Sequence, residues 1–352
     1  MGWLGIICSC YKGSLKVGGM YIWELGVRLK SYERLQIQNM DVDIDFFKSI
    51  YNDDIIYHYT KASTAIDFIL HNNQLRFNKA RNSIDPIESS KARRATNYFG
   101  SEIDKNRSKQ HYQEINGLHD LVDDLEERFN LICFCKNHMG EDFASKYYVS
   151  NFAGHEELFG FTKLRMWDQY ADKFSGVCIA FSKEKILSLN SQKFDLIKDD
   201  VKYLPFQELL QKKIGDIQGN HLIHVGKEEY EKQLEQLAKE SFFYKHIDYS
   251  GENEYRIGTL FEKDKCSLET IRDEIIIGRT MMLDISGCVA AIFVSSFANN
   301  RQKNDLLQYA YELNIEIIDM IWQHDSFKPW NYKKWIEFVN SIEHKKKESD
   351  KA

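Results

Sequence analysis

The irregular spacing of its strand-like segments constrains this fold more than any other feature of the sequence. The segments rich in β-branched and aromatic residues are 55–60, 74–77, 131–135, 176–181, 200–203, 254–258, 274–277 and 315–321. Helical stretches of unequal length separate them, the longest near 87–130 and 206–245, and 155–172 and 301–312 also read as helices. Regular strand–helix–strand spacing and a glycine-rich phosphate loop are both missing, which disfavours Rossmann and P-loop folds. The pattern predicts an α+β fold with a split mixed or antiparallel sheet and helical insertions.

The chain offers few places for a domain boundary. Only three prolines occur in 352 residues, and no Gly/Ser-rich linker interrupts the sequence. We therefore expect a single domain over residues 41–340, whose core is supplied by the 43% of hydrophobic residues. Residues 1–40 differ from the rest and are predicted to be an N-terminal appendage of uncertain order, and 341–352 a charged tail.

Composition argues against several classes of protein. Net charge is −6, which argues against a generally basic nucleic-acid coat. Seven cysteines, an odd number in a long chain, do not suit a disulfide scaffold and favour a reducing cytoplasm. No apolar run reaches the roughly 18–20 residues of a membrane span. Cys133 and Cys135 with His138 invite a metal interpretation, but no second ligand pair follows, so no metal is predicted.

Several short motifs occur together in a defined order. They are YHYT at 57–60, NSIDPIE at 82–88, CFC at 133–135, RMWDQYADKFSGVCIAF at 165–181, ENEYRIG at 252–258 and, more weakly, IIIG at 275–278. In this order the chain resembles the bacterial domain-of-unknown-function family 2971. One departure is Ile84-Asp85-Pro86, where that family often has Asn-Asp-Pro.

A second, looser resemblance points to chemistry. YHYT, followed by an amphipathic helix and QLRF, is similar to the opening of the DNA-directed and poly-type ADP-ribosyltransferases. This resemblance implies an ADP-ribosyltransferase-like fold with NAD as substrate and an acceptor that is nucleic acid or protein. It implies that His58 binds the adenosine side, that Tyr170 or Trp167 holds the nicotinamide, and that Glu254 catalyses. By analogy the setting is a bacterial toxin or an anti-phage effector.

Those residue types suit cleavage of the bond between nicotinamide and ribose. The transition state carries positive charge on the ribose, which a carboxylate stabilises, and an aromatic wall stacks on the nicotinamide. Thr60 shares a strand face with His58, and Arg256 shares one with Glu254. We expect His58 and Glu254 to lie across one cleft. The expected cofactor-binding residues are His58, Thr60, Asp85, Trp167 and Arg256.

Each of these residues also has a structural interpretation. His58 can be a hydrogen-bonded core histidine, Thr60 the cap of the following helix, and Asp85 part of a turn. Trp167 and Tyr170 can belong to the core, and Glu254 with Arg256 can form a structural ion pair. Two other functions therefore stay open: a metal-dependent nuclease that uses Asp85, Glu88 and Glu254, and a non-enzymatic binding module with a degenerate pocket.

Overall fold

A nine-stranded mixed sheet forms the centre of the molecule in the computed structural model. The structure describes residues 16–17, 20–21, 46, 49–83, 85, 94–97, 109–139, 159–261, 282–323 and 326–329. Four expectations therefore fall wholly or mostly outside the described residues: the strand at 274–277, Pro86 to Glu88, most of 1–40 and the tail at 341–352.

The strands follow one another along the chain as short and medium-length segments. They are β1 (Lys16–Val17), β2 (Met20–Tyr21), β3 (Ile55–Thr60), β4 (Gln74–Arg76), β5 (Asn78–Lys79), β6 (Thr96–Asn97), β7 (Phe129–Lys136), β8 (Val177–Ser182), β9 (Ile197–Asp200), β10 (Lys202–Leu204), β11 (Ile217–Gln218), β12 (Tyr244–His246), β13 (Glu254–Leu260), β14 (Met282–Asp284), β15 (Val289–Ser295), β16 (Glu316–Gln323) and β17 (Ser326–Pro329).

The helices lie between these strands. They are α1 (Ala62–Thr64, continued by a π-helical turn over Ala65–Leu70), α2 (Lys109–Arg128), α3 (Leu164–Gln169), α4 (Lys183–Asn190), α5 (Phe206–Lys212), α6 (Gly219–Val225), α7 (Lys227–Ser241) and α8 (Asn300–Leu313), with 3₁₀ turns at Ala80–Asn82, Gly160–Thr162 and Ile247–Glu252. None of the described helices is long and apolar enough to cross a membrane.

Strand order in the central sheet is β17-β16-β15-β8-β3-β7-β13-β9, with β5 paired to β7. The pair β15–β16 is parallel and the other pairs in the sheet are antiparallel. β8 occupies the middle, and its residues from Val177 to Phe181 are buried on both faces, which suits their apolar sequence. The α+β class with a mixed sheet and helical insertions is thereby confirmed.

Strand alternation gives the sheet two different faces. One face packs Ile56, Phe134, Ile179 and Ile257 under the elements around β4, β14 and α8. The other packs Tyr57, Tyr59 and Cys178 against Phe161 and Trp167. Cross-strand register places Cys135 directly opposite both Tyr57 and Glu254, so these three side chains share the second face.

β3 and β7 are paired over two residues and then diverge. Along one edge of β7, Cys135 and Lys136 pair with β3, whereas Asn130 and Leu131 pair with β5. The carbonyl of Cys133 lies between the two pairings, and His58 Nδ1 is 3.1 Å from its oxygen. The imidazole thus supplies the partner that a strand would otherwise provide for this carbonyl.

The long helical stretch expected over 206–245 is divided into three helices. Gly226, with φ of +84°, separates α6 from α7, and short strands occupy 217–218 and 244–246. α2, α6 and α7 share a core of their own that includes Leu118, Val122 and Leu234. The expected helix over 87–130 is confirmed for α2, whereas Thr96–Asn97 is a strand.

Two further expectations about helices were wrong in detail. The helix predicted over 155–172 is confined, within the described residues, to Leu164–Gln169 and follows a 3₁₀ turn. Thr60 does not cap α1, because it is the last residue of β3 and Lys61 occupies the N-cap position without a side-chain cap bond. The apolar stripe of that helix is confirmed, since Ile69 and Leu70 are buried and Ile66 packs against the same core.

Candidate functional site

A cavity of about 700 Å³ lies where β3 and β7 diverge. Its border is formed by side chains from β3, β5, β7 and β13 together with α5 and the end of α7. The lining residues discussed below are His58, Cys133, Tyr170, Phe206, Leu210, Phe242, Lys245, Glu254 and Arg256. A volume of this size is typical of small-molecule sites.

Glu254 and Arg256 form a buried ion pair at the cavity. Arg256 Nη2 donates to Glu254 Oε2 at 2.8 Å, and Lys245 Nζ lies 3.5 Å from the same oxygen. Burial raises the pKa of Glu254, but the charges of Arg256 and Lys245 and a hydrogen bond from the Cys133 side chain outweigh it. The net pKa lies below its ordinary value, so Glu254 is ionised at neutral pH.

A second carboxylate, Glu252, belongs to the same charge cluster. Lys245 Nζ donates to Glu252 Oε2 at 2.6 Å, and Arg165 Nε lies 3.9 Å from Oε1. Burial raises the pKa of Glu252 above its ordinary value despite the attraction of Lys245. The intervening residue Asn253 has φ of 47° in the left-handed region, which asparagine tolerates, and this turn brings both glutamates to one lysine.

His58 borders the cavity from the opposite strand. Because side chains alternate along a strand, His58 and Glu254 belong to opposite faces of the sheet. Both residues nevertheless line the same cavity, which lies where β3 and β7 are no longer paired beyond Tyr57. Burial lowers the pKa of His58, more than its hydrogen bond to the Cys133 carbonyl raises it. A carbonyl only accepts, so Nδ1 of the neutral ring carries the proton and Nε2 is left as an acceptor.

The two aromatic candidates, Tyr170 and Trp167, lie in different environments. Tyr170, the C-cap of α3, is half-buried and borders the cavity. Burial, followed by the charge of Glu252, holds the pKa of its hydroxyl well above the ordinary range. Trp167 instead lies in the core, where its Nε1 donates to the Phe161 carbonyl at 2.7 Å and its ring meets the edge of Tyr59. The structure does not place Trp167 at the cavity.

Two other predicted binding residues also lie away from the cavity. Thr60 is buried at the end of β3 and does not border it. Asp85 is buried nearby in a turn, in which its backbone N–H donates to Ser83 Oγ at 3.2 Å, and it does not border the cavity either.

Sequence reasoning missed the apolar border residues Phe206, Leu210 and Phe242, and it missed the polar contributions of Lys245, Glu252 and Cys133. Lys245 ends up between two carboxylates, Glu252 completes the cluster, and Cys133 contributes both its carbonyl and its thiol. Two acidic residues flanking an asparagine, Glu252-Asn253-Glu254, gave the signal available for Glu252. Lys245 carried no distinguishing pattern. Among the described residues, no group of three or more His, Cys, Asp or Glu side chains is arranged to hold a metal ion.

Fold and site together define an α+β protein with a cavity beside its central sheet that is lined in part by charged residues. Residues 166–257 match the family model described as a protein of unknown function, DUF2971. This range covers all but one residue of each of two sequence landmarks, 165–181 and 252–258. It includes Tyr170, Lys245, Glu254 and Arg256, whereas His58 and Cys133 precede it. No curated protein and no solved structure matches the chain.

Proposed function

We propose that this chain binds NAD and cleaves the bond between nicotinamide and ribose, passing ADP-ribose to a macromolecule or to water. The observation that carries the proposal is an ionised, buried carboxylate, Glu254, bordering the same cavity as His58. Departure of nicotinamide leaves positive charge on the ribose, and a fixed anion beside that sugar stabilises the transition state.

The ion pairs of Glu254 suit this role because they hold the carboxylate in place. Arg256 and Lys245 both lie close to Oε2, which fixes the orientation of this buried group. A preorganised charge needs no rearrangement when the oxocarbenium-like state forms. Tyr170 borders the same cavity as Glu254 and supplies an aromatic ring for the leaving nicotinamide.

His58 suits the other ribose of the same ligand. Its protonated Nδ1 is used by the Cys133 carbonyl, so the acceptor Nε2 is the nitrogen that takes a hydrogen bond from a ribose hydroxyl. A neutral ring is sufficient for this contact, which agrees with the lowered pKa. The Arg256 guanidinium and the Lys79 and Lys213 side chains add positive charge at the border for the pyrophosphate.

The test is incubation of the full chain with NAD labelled in the nicotinamide ring, with and without cell extract. We expect release of free nicotinamide, and the Glu254→Gln variant should lose it by about 10²–10³-fold while it still binds NAD. Glu184→Gln changes an exposed glutamate of α4 away from the cavity and is the matched control.

Rates are compared per folded molecule, because Glu254→Gln also removes the charge that pairs with Arg256. A wild-type protein that releases no nicotinamide from NAD overturns the proposal, whether or not it binds NAD. So does a Glu254→Gln variant whose activity falls only in step with its folded fraction, since Glu254 would then be a structural partner of Arg256.

A further inference from the structure

Two large apolar side chains lie half-exposed at the rim of the cavity. Phe206 and Leu210 are 48% and 50% exposed, and both border the cavity. They are four residues apart on α5, so they share one face of the helix. Leu209, one residue earlier, is buried and anchors the helix to the protein. At the rim of a concave site, such an apolar pair offers a surface on which the apolar part of a ligand can pack.

Phe242 continues this apolar border toward the charged residues. Its ring stacks on Phe129 with centroids 4.1 Å apart and an angle of 3° between the planes. Its carbonyl accepts a hydrogen bond from Arg256 Nη1 at 2.6 Å. Phe242 thus borders the same cavity as Phe206 and Leu210, and its carbonyl is bound to Arg256 at the charged side of that cavity.

The cavity is thus apolar along α5 and Phe242 and charged at Lys245, Glu254 and Arg256. A ligand that fills it needs a flat apolar part joined to a polar, hydroxyl-bearing part. A nucleotide has this composition, because its base has apolar faces and its ribose and phosphates are polar. The volume of about 700 Å³ fits such a molecule.

We propose that Phe206, Leu210 and Phe242 form the binding subsite for the adenine ring of NAD and select ligands that carry a purine base. This inference rests on the proposed function for the identity of the ligand. Tyr170 borders the same cavity as Glu254, and we assign it to the nicotinamide end. The adenine ring therefore lies along α5, and the ribose attached to it reaches His58.

The experiment measures equilibrium binding of adenosine monophosphate, nicotinamide mononucleotide and NAD to the full chain. Phe206→Ala and Leu210→Ala should each raise the Kd for adenosine monophosphate, the former by about tenfold or more. The Kd for nicotinamide mononucleotide should change by less than about twofold, because this ligand has no purine to lose. Phe206→Trp keeps a ring at the rim and should restore the affinity for adenosine monophosphate.

Ile223→Ala is the matched control, since Ile223 is an exposed apolar residue of α6 that does not border the cavity. Thermal melts check that each variant is folded. We expect folded variants because the substituted side chains are about half-exposed. Unchanged affinity of folded Phe206→Ala for adenosine monophosphate overturns the subsite, as does equal loss for both mononucleotides.

The two proposals fail in different ways. If adenosine monophosphate binds through Phe206 but no nicotinamide is released, the glycosidic function is wrong and the subsite stands. If NAD is cleaved but Phe206→Ala binds adenosine monophosphate normally, the function stands and the subsite is wrong. If the wild type binds none of the three ligands, both are wrong.

Discussion

Lys245 Nζ lies 2.6 Å from Glu252 Oε2, and both side chains are almost completely buried. The same ammonium is 3.5 Å from Glu254, so Lys245 contacts both carboxylates, and Arg256 pairs with Glu254 as well. Within a buried cluster, the cost of removing one charge is set by the partners that remain.

The first prediction concerns this cluster. Lys245→Met should lower the free energy of unfolding by about 3–5 kcal/mol, because it leaves two buried carboxylates without their shared cation. Adding Glu252→Gln to Lys245→Met should recover part of the loss. Chemical denaturation measures both variants. Lys61→Met is the control, because Lys61 and Asp172 form an exposed pair at 3.9 Å, worth about 0–1 kcal/mol. Equal effects of Lys61→Met and Lys245→Met would contradict the prediction.

The second prediction concerns His58. His58→Ala should destabilise the fold by about 1–3 kcal/mol, since it removes the hydrogen bond between His58 and the Cys133 carbonyl where β3 leaves β7. His58→Gln retains a side-chain N–H donor and should be more stable than His58→Ala. Both variants should bind NAD more weakly if Nε2 contacts the ligand. Denaturation curves and NAD binding on the same preparations separate the two effects, and wild-type stability of His58→Ala would rule out the structural contact.

The third prediction is a loss of stability at mildly acidic pH. Burial, with the charges of Lys163 and Lys136, lowers the pKa of His138 from 6.5 to about 4, and burial also lowers the pKa of His58. As the pH falls below 6.5, these histidines take up protons in the unfolded chain before they do so in the folded protein. Their contribution to the free energy of unfolding is therefore fully present above pH 6.5 and is lost as the pH drops toward 4. Melting temperature across this range should be flatter in His138→Gln than in the wild type. Identical pH profiles would show that His138 does not contribute.

The fourth prediction compares two glycines. A Cβ at Gly176 would lie 2.3 Å from the Thr60 carbonyl oxygen and 2.8 Å from that of Ala171, both of which belong to the backbone and cannot easily move. Gly176→Ala should therefore cost about 1–3 kcal/mol or more. Gly117 in α2 has nothing within 4 Å of such a Cβ, so Gly117→Ala should stabilise by about 0.5–1 kcal/mol. Denaturation midpoints test the opposite signs.

The fifth prediction concerns residues 1–39. Their described strands β1 and β2 pair with each other, and every sequence landmark follows residue 56. A chain that starts at Met40 should give an unchanged cooperative melt. A lower melting temperature or insolubility would mean that this segment packs on the domain.

Sequence alone predicted much of the sheet. Runs of β-branched and aromatic residues identified the central strands β3, β7, β8 and β13, because such runs suit strands buried on both faces. It also predicted that Glu254 and Arg256 share a face, since side chains alternate with a period of two. These inferences depend on local geometry, which neighbouring residues determine.

Tertiary structure decided the composition of the site. Met166, Trp167 and Tyr170 are close along one short helix, and their spacing does not say which of them meets the core and which meets the cavity. Lys245 reached Glu252 and Glu254 through a 3₁₀ turn and a left-handed Asn253, neither of which has a periodic signature. The divergence of β3 from β7 depends on the competing pairing of β5, about twenty residues further along the chain. Periodicity determines which residues share a face, whereas the packing of distant segments determines what covers that face.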